Sequence, residues 1–301
     1  MILHETRSCR VSAPCKVNLT LDVAPPRHDG YHDLDSVVAT FRPADEIVVA
    51  VRPGPRRVGL TCDDVSLPSG AGNLAYRAAD TFLDTFLPGE EVAVTLTLFK
   101  HLPAQAGLGG GSSDAAGVLR ALDSLLPGTA APDALRALAA AIGSDVPLFL
   151  AGASTGIRMQ GRGERTAPLD TPLPPLHGVL VKPEVGVPTP AAYGLLDALP
   201  RRAPGSATER LITTLRRGDA MEAIGAALGN DFEAAILPAF PAVAAAHREI
   251  EGAGAVRALL CGSGSAVFGL ARDRHHAQSL AAVLVGRFPW VNLAETAAAD
   301  A

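Results

Sequence analysis

The sequence predicts an α+β protein in two halves. Three observations carry that expectation. Apolar and polar residues alternate at strand period from Val11 to Val23, and helical spacing follows a glycine-rich loop near residue 110. Beyond a proline-rich stretch, Pro168 to Pro175, the mixture of strands and helices starts again. A chain of 301 residues is long enough for one large domain or two medium ones. Apolar residues make up 48% and charged residues 19%, which permits a sizeable core and excludes general disorder. With aromatics at only 4%, that core must be built mainly from Ala, Val and Leu.

The elements follow in order. Val11, Ala13, Cys15, Val17, Leu19, Leu21 and Val23 are apolar, while Ser12, Lys16, Asn18, Thr20 and Asp22 between them are polar. Pro14 interrupts the ladder, so an edge position or a join of two short strands is expected there. Pro25-Pro26 and Asp29-Gly30 mark a turn before Tyr31-His32. Val92, Val94, Leu96 and Leu98 alternate as another strand. Ala115, Val118, Leu119, Leu122 and Leu126 have helical spacing. Ala131 to Ile142 reads as a second helix, with Pro132 in its first turn and Gly143 at its C-cap. A strand is expected near Val179–Val181, and Thr189-Pro190 as an N-cap and first-turn pair. Leu259-Leu260 and Val267-Phe268 read as strands joined by the small-residue turn Gly262-Ser263-Gly264-Ser265.

Charge and cysteine usage exclude several classes of function. Lys plus Arg number 26 against 31 Asp plus Glu, a formal net charge of -5. No basic footprint for nucleic acid or an anionic membrane results. Cys9, Cys15, Cys62 and Cys261 show no C-x-x-C spacing and no clustered His partners, so a reducing, cytoplasmic compartment is expected rather than a disulfide or zinc framework. MILHETRSCR lacks the apolar core of a signal peptide, and no apolar run would span a bilayer.

The most informative segment is PAQAGLGGGSSDAA, Pro103 to Ala116. Glycines at 107, 109, 110 and 111 let backbone approach a ligand closely, and the helix that follows offers unpaired N–H donors and a partial positive charge. A strand–glycine loop–helix order with Ser112 and Ser113 suits a phosphate cradle; a flexible turn with a serine N-cap is the bland alternative. The Lys-Ser/Thr ending of a Walker A loop is missing, and Ser112 stands where G-x-G-x-x-G needs its last glycine. The H-R-D and D-F-G motifs of protein kinases are also absent from the chain.

The loop instead resembles P-x-x-x-G-L-G-x-[GS]-S-[SA]-x of the GHMP kinases, a superfamily of small-molecule kinases. The likeness extends along the chain through further ordered blocks: APCKVNLTLDV, RHDGYHDLDSV, IGSDVPLFLAG, GRGERTAPL, VKPEVGVPTPAAY, NDFE at Asn230 to Glu233, and LLCGSGSAVFGL. Cys15 replaces a usual Ala and Leu148 a usual Phe. The resemblance implies the GHMP kinase fold, with a first domain (1–165) like ribosomal protein S5 domain 2 and a ferredoxin-like second domain (166–301).

The DGYH context points to the branch that uses ATP to phosphorylate a cytidine-diphosphate-linked methylerythritol for isoprenoid precursors. A homoserine- or mevalonate-type kinase, or a non-catalytic ligand sensor on the same fold, remains an alternative. By resemblance Lys16 activates the reacting groups, Asp145 is the general base, and Asn18 holds substrate. The bland readings are a solvated lysine face and a turn or N-cap aspartate. Tyr31, His32 and Tyr193 are implied in recognising cytosine, each with simple packing as its alternative. Pro103, Ala104, Gln105, Ala106, Gly107, Leu108, Gly109, Gly110, Gly111, Ser112 and Ser113 are implied in binding ATP phosphates. Asn73 and Lys100 are implied at the adenine side, with plain surface positions as the alternative. Mg²⁺ is implied by the chemistry, with no ligand assigned and Ser113 the first residue to test.

Overall fold

The computed structural model describes residues 5–150, 156–200 and 206–297. Along the chain come β1 (Arg7–Asn18), β2 (Thr20–Pro26), β3 (His32–Pro53), β4 (Arg57–Cys62), α1 (Leu74–Phe86), β5 (Val92–Phe99) and α2 (Gly110–Leu125). Next are α3 (Pro132–Ile142), α4 (Val146–Leu150), β6 (Ile157–Gly161), β7 (Arg165–Pro168), β8 (His177–Lys182), α5 (Thr189–Asp197), α6 (Ala207–Arg217) and α7 (Met221–Ala227). The chain ends through β9 (Gly229–Asn230), α8 (Glu233–Ala239), α9 (Pro241–Gly252), β10 (Arg257–Leu260), β11 (Val267–Ala271), α10 (Arg274–Leu284) and β12 (Trp290–Thr296).

Two compact units emerge, and both are discontinuous in sequence. The first comprises Met1–Pro14, Ala44–Leu102 and Gly109–Gly152; the second comprises Cys15–Pro43, Pro103–Leu108 and Ala153–Ala301. The glycine loop is thus shared by sequence between them.

In the first unit β5 lies between the later part of β3, antiparallel, and β4, parallel. Residues 45 to 51 of β3 alternate between buried and half-buried, and Ile47, Val49 and Val51 enter the core. Helix α1 is capped by Asn73, whose side chain accepts from the Ala75 amide at 2.9 Å. It buries Ala75, Ala78, Ala79, Phe82 and Leu83, a helical stripe, and packs on α2. Helix α3 starts at Pro132 as expected, and Gly143 caps it in an extended conformation.

In the second unit β8, β10, β11 and β12 form an antiparallel sheet in the order β10-β11-β8-β12. With helices between β8 and β10 and between β11 and β12, this is the βαββαβ arrangement of a ferredoxin-like unit. Leu259 pairs with Phe268 and Leu260 with Val267, as the expected hairpin requires. Leu21, Val179, Val181, Phe232, Ile236, Ile250, Leu260 and Val267 belong to its core.

Three local expectations change. Pro14 lies inside β1 and does not separate two strands; the join falls at Leu19. Among the described residues strand β1 pairs only with β3, so a residue lacking an N–H is tolerated at that edge. Thr189 is the first residue of α5, not its N-cap, which is Pro188; the Thr189 hydroxyl instead meets the Ser263 hydroxyl at 3.2 Å. Finally, α2 begins at Gly110 with Gly109 as N-cap, so Ser112 and Ser113 are inside its first turn.

Candidate active site

The polar face of β1 and β2 is buried. Lys16 is 6% exposed, Asn18 1% and Thr20 fully covered. A solvated lysine face is therefore excluded, because polar groups removed from water must find partners. Lys16 Nζ donates to Asn18 Oδ1 at 2.5 Å, Asn18 Nδ2 donates to Ser36 Oγ at 2.8 Å, and Ser36 Oγ donates to the Thr20 carbonyl at 2.5 Å. Strand geometry explains the first contact, since residues two apart share a face. Asn18 thus has both ends of its carboxamide engaged in holding Lys16 and Ser36. Cys15, on the opposite face, is fully buried and donates its thiol to the Phe41 carbonyl at 3.2 Å.

The glycine-rich turn after β10 covers this pair. A Cβ at Gly262 would come within 3.2 Å of Lys16 Nζ and 3.6 Å of Asn18 Oδ1, and Gly262 has φ +54°. Asn230 holds the turn: its Nδ2 donates to the carbonyls of Leu260 and Gly262 at 2.8 and 2.7 Å. Glu233 accepts from the Leu260 amide at 2.9 Å. Asn230 and Glu233 of the NDFE block therefore shape the turn. Cys261, fully buried here, has its thiol pushed up to about 12 by burial, against the opposing charge of Lys16.

The first half of the glycine loop is pinned to the same unit. The Leu108 carbonyl accepts from the Lys16 amide at 2.9 Å, and the Ala106 carbonyl accepts from the Ala266 amide at 3.0 Å. Ala106 and Leu108 are buried, while Ala104 and Gln105 are exposed and Pro103 is half-buried. Gly107, at φ +76°, admits no side chain, because a Cβ would fall 1.9 Å from the Cys261 carbonyl oxygen. Gln105 also has positive φ, at 50°.

In the first unit, the loop ends at Gly109 (φ +72°), and α2 opens with Gly110, Gly111 and Ser112 before the buried Ser113. No serine caps this helix, so its first amides are open to an anion, as a phosphate cradle requires. The Ser113 hydroxyl is buried without a hydrogen-bond partner among the described residues. Asp145 follows α3 and directly precedes α4; it is half-buried. Leu148, the third residue of α4, is fully buried, so the departure from Phe is absorbed in the core. The last residues of the IGSDVPLFLAG block, 151 and 152, lie outside the described residues.

Asn73 and Lys100 have structural partners in place of surface positions. The Asn73 carboxamide caps α1 and also donates to the Pro68 carbonyl at 3.0 Å. Lys100 lies in a buried triad, its ammonium donating to Asp45 and, at 2.8 Å, to Asp114. Burial pulls the Lys100 ammonium down, and the two carboxylates more than offset it, so its pKa is raised. Burial pushes Asp114 up to about 7, with Lys100 opposing and Asp45 reinforcing the shift.

His32 and Tyr193 come together, whereas Tyr31 stands apart. His32 is 7% exposed; its Nδ1 donates to the Ala24 carbonyl at 2.8 Å, and its Nε2 lies 3.4 Å from an Asp197 carboxylate oxygen. Its ring stacks on Tyr193, which in turn meets the edge of Phe232. Tyr31 is half exposed, and the Arg162 guanidinium lies 3.5 Å over its ring. Sequence reading missed Ser36, Asp45, Asp114 and Asp197. Ser36 and Asp114 lie inside the RHDGYHDLDSV and PAQAGLGGGSSDAA blocks, and Asp197 lies four residues after Tyr193 on the same helical face; Asp45 carried no local signal.

Comparison with known proteins accords with this geometry. The model of the GHMP kinases N terminal domain matches residues 73–153, and that of the GHMP kinases C terminal matches 211–289. The 4-diphosphocytidyl-2-C-methyl-D-erythritol kinase of Moorella thermoacetica is 41% identical over 278 residues, covering 91% of this chain and 94% of its own. The enzyme of the same name from Deinococcus radiodurans is 38% identical over 289 residues, covering 94% of this chain and 91% of its own. A crystal structure of a 4-(cytidine 5'-diphospho)-2C-methyl-D-erythritol kinase superposes with a TM-score of 0.79 at 35% identity, covering 96% of this chain and all of the other. Homoserine kinase from Cytophaga hutchinsonii, 19% identical with a TM-score of 0.73, shares the fold over 96% of this chain and 94% of its own. The chain belongs to the GHMP kinases, in the family of 4-diphosphocytidyl-2-C-methyl-D-erythritol kinases.

Proposed function

We propose that this chain transfers the γ-phosphoryl group of ATP to the 2-hydroxyl of 4-diphosphocytidyl-2-C-methyl-D-erythritol. The observation that carries the reading is the Lys16 ammonium, buried and aimed by Asn18 beneath the backbone of Gly262. A cation held in a fixed direction away from water suits phosphoryl transfer, which depends on positioning and charge neutralisation more than on covalent chemistry. The relatives at 41% and 38% identity supply the acceptor.

In this reading Asp145 takes the proton of the acceptor hydroxyl, and Lys16 neutralises charge on the group in transfer. The open amides at the start of α2 and the glycine backbone from 107 to 111 hold the ATP phosphates. His32, Tyr31 and Tyr193 recognise the cytosine end. Mg²⁺ bound with ATP would neutralise phosphate charge, and the unpartnered Ser113 hydroxyl is a suitable oxygen donor for it. The division into 1–165, whose sequence holds the loop, Lys16 and Asp145, and 166–301 belongs to the same proposal. So does a cytoplasmic location, where ATP is supplied.

An ATP-consumption assay against the cytidine-linked substrate, homoserine, mevalonate and a sugar tests this function. Turnover with the cytidine-linked substrate alone is the expected result. Activity confined to homoserine or mevalonate would overturn it.

A further inference from the structure

We propose that the buried Asp45–Lys100–Asp114 triad is a positioning device that ties the two ends of the glycine loop together and so sets its ATP-binding geometry. The proposal rests on the reading of that loop as an ATP cradle. The loop leaves β5 after Phe99 and enters α2 at Gly110. Lys100, His101 and Leu102 form its entry, and Asp114 is one turn inside its exit helix.

One carboxylate organises the entry. Asp45 Oδ1 accepts from the amides of His101 and Leu102, at 2.6 and 2.8 Å. Its Oδ2 accepts from the Lys100 ammonium, whose second bond, 2.8 Å to Asp114 Oδ2, reaches the exit. The Lys100 amide is held in turn by Asp63 Oδ1 at 2.8 Å. The side chains of Asp45, Lys100 and Asp114 are 0%, 9% and 3% exposed.

Such a triad is an inefficient source of stability, since desolvating three charges offsets most of their attraction. What it supplies is direction. Between its anchor points Gly107 and Gly109 have left-handed conformations, in a stretch whose freedom is limited at its middle by the backbone bonds of Ala106 and Leu108 and at its ends by the triad. Tying both ends removes part of that freedom before ATP arrives, so less must be lost on binding.

The test is calorimetric ATP binding with steady-state kinetics on the full chain. Asp114→Ala unties the exit while leaving Lys100 and Asp45 as a balanced pair, so the variant should fold. ATP affinity should fall about tenfold, the scale of one charge-assisted hydrogen bond. KM for the cytidine-linked substrate should stay constant. Asp114→Asn, which keeps an acceptor for Lys100, should restore most of the ATP affinity. Asp114→Leu, which shares the branch at Cγ and fills the site with apolar atoms, replaces the alanine variant if the latter fails to fold. A merely structural role would lower the active fraction and leave both KM values unchanged. Folded Asp114→Ala or Asp114→Leu with wild-type ATP affinity overturns the proposal alone. Wild-type protein that binds no ATP overturns the reading of the loop as well.

Discussion

The rings of His32 and Tyr193 stack directly on one another, with centroids 4.8 Å apart and planes at 29°. Phe232 meets the other side of Tyr193 edge-on, at 4.9 Å and 85°. A cytosine held between His32 and Tyr193 therefore requires the tyrosine ring to withdraw from His32. The base would replace one stacked partner with another, so the exchange conserves most of the contact.

Truncation of Tyr193 measures that exchange. Tyr193→Ala should raise KM for the cytidine-linked substrate about tenfold, because an aromatic pair is worth roughly 0.5–1.5 kcal/mol beyond its buried area. KM for ATP should hardly move, and Tyr193→Phe should stay close to wild type. An increase in KM for ATP, or none for either substrate, would make Tyr193 a packing residue.

Asp197 acts on the same ring from the next turn of α5. With Nδ1 donating to the Ala24 carbonyl, His32 presents Nε2 to an Asp197 carboxylate oxygen 3.4 Å away, an ion pair when the ring is protonated. Asp197→Ala should therefore raise KM for the cytidine-linked substrate several-fold without changing KM for ATP. Asp197→Asn should recover part of the loss. Unchanged kinetics in the alanine variant would leave the ring fixed by Tyr193 and Ala24 alone.

The two proposed catalytic residues differ in their effect on stability. Asp145→Asn, at a half-buried position, should keep its melting temperature and lose about 10²- to 10⁴-fold in kcat, the usual contribution of a positioned base. Near-normal kcat would remove Asp145 from the mechanism. Lys16→Ala should lose turnover and also melt earlier, because it leaves a cavity and strips Asn18 of a buried partner. A Lys16→Ala protein as stable as wild type would contradict the burial described for it.

Gly110 tests the cradle at the first residue of α2. A Cβ there would meet Leu102 at 3.4 Å and Asp45 at 3.5 Å, which is ordinary contact, so the first helical turn admits a small side chain. Gly110→Val adds a branched isopropyl group at the start of the helix, crowding Leu102 and Asp45 beside the cradle, and calorimetry should show weakened ATP binding. Binding of the cytidine-linked substrate should survive. Full ATP affinity in the folded variant would reduce the loop to an ordinary turn.

Much of the fold was legible because local pattern and burial agree. The alternation from Val11 to Val23, the helix bounded by Pro132 and Gly143, the hairpin of β10 and β11 and the strand–loop–helix order all lie in short windows. Strand β3 escaped sequence reading because residues 36 to 41 are buried on both faces and lose the period of two. Helix α1 carries a readable signal in Asn73 and in its apolar stripe from Ala75 to Leu83.

By itself the sequence determined the α+β class, the glycine loop before its helix, and the residue types that phosphoryl transfer needs. Only the tertiary structure decided their environments. Nothing local distinguishes a solvated Lys16 or Lys100 from a buried one, because burial depends on segments distant in the chain: Ser36 and Gly262 around Lys16, Asp45 and Asp114 around Lys100. A polar residue far from its partners in sequence declares its role only when folding removes the water that would otherwise satisfy it.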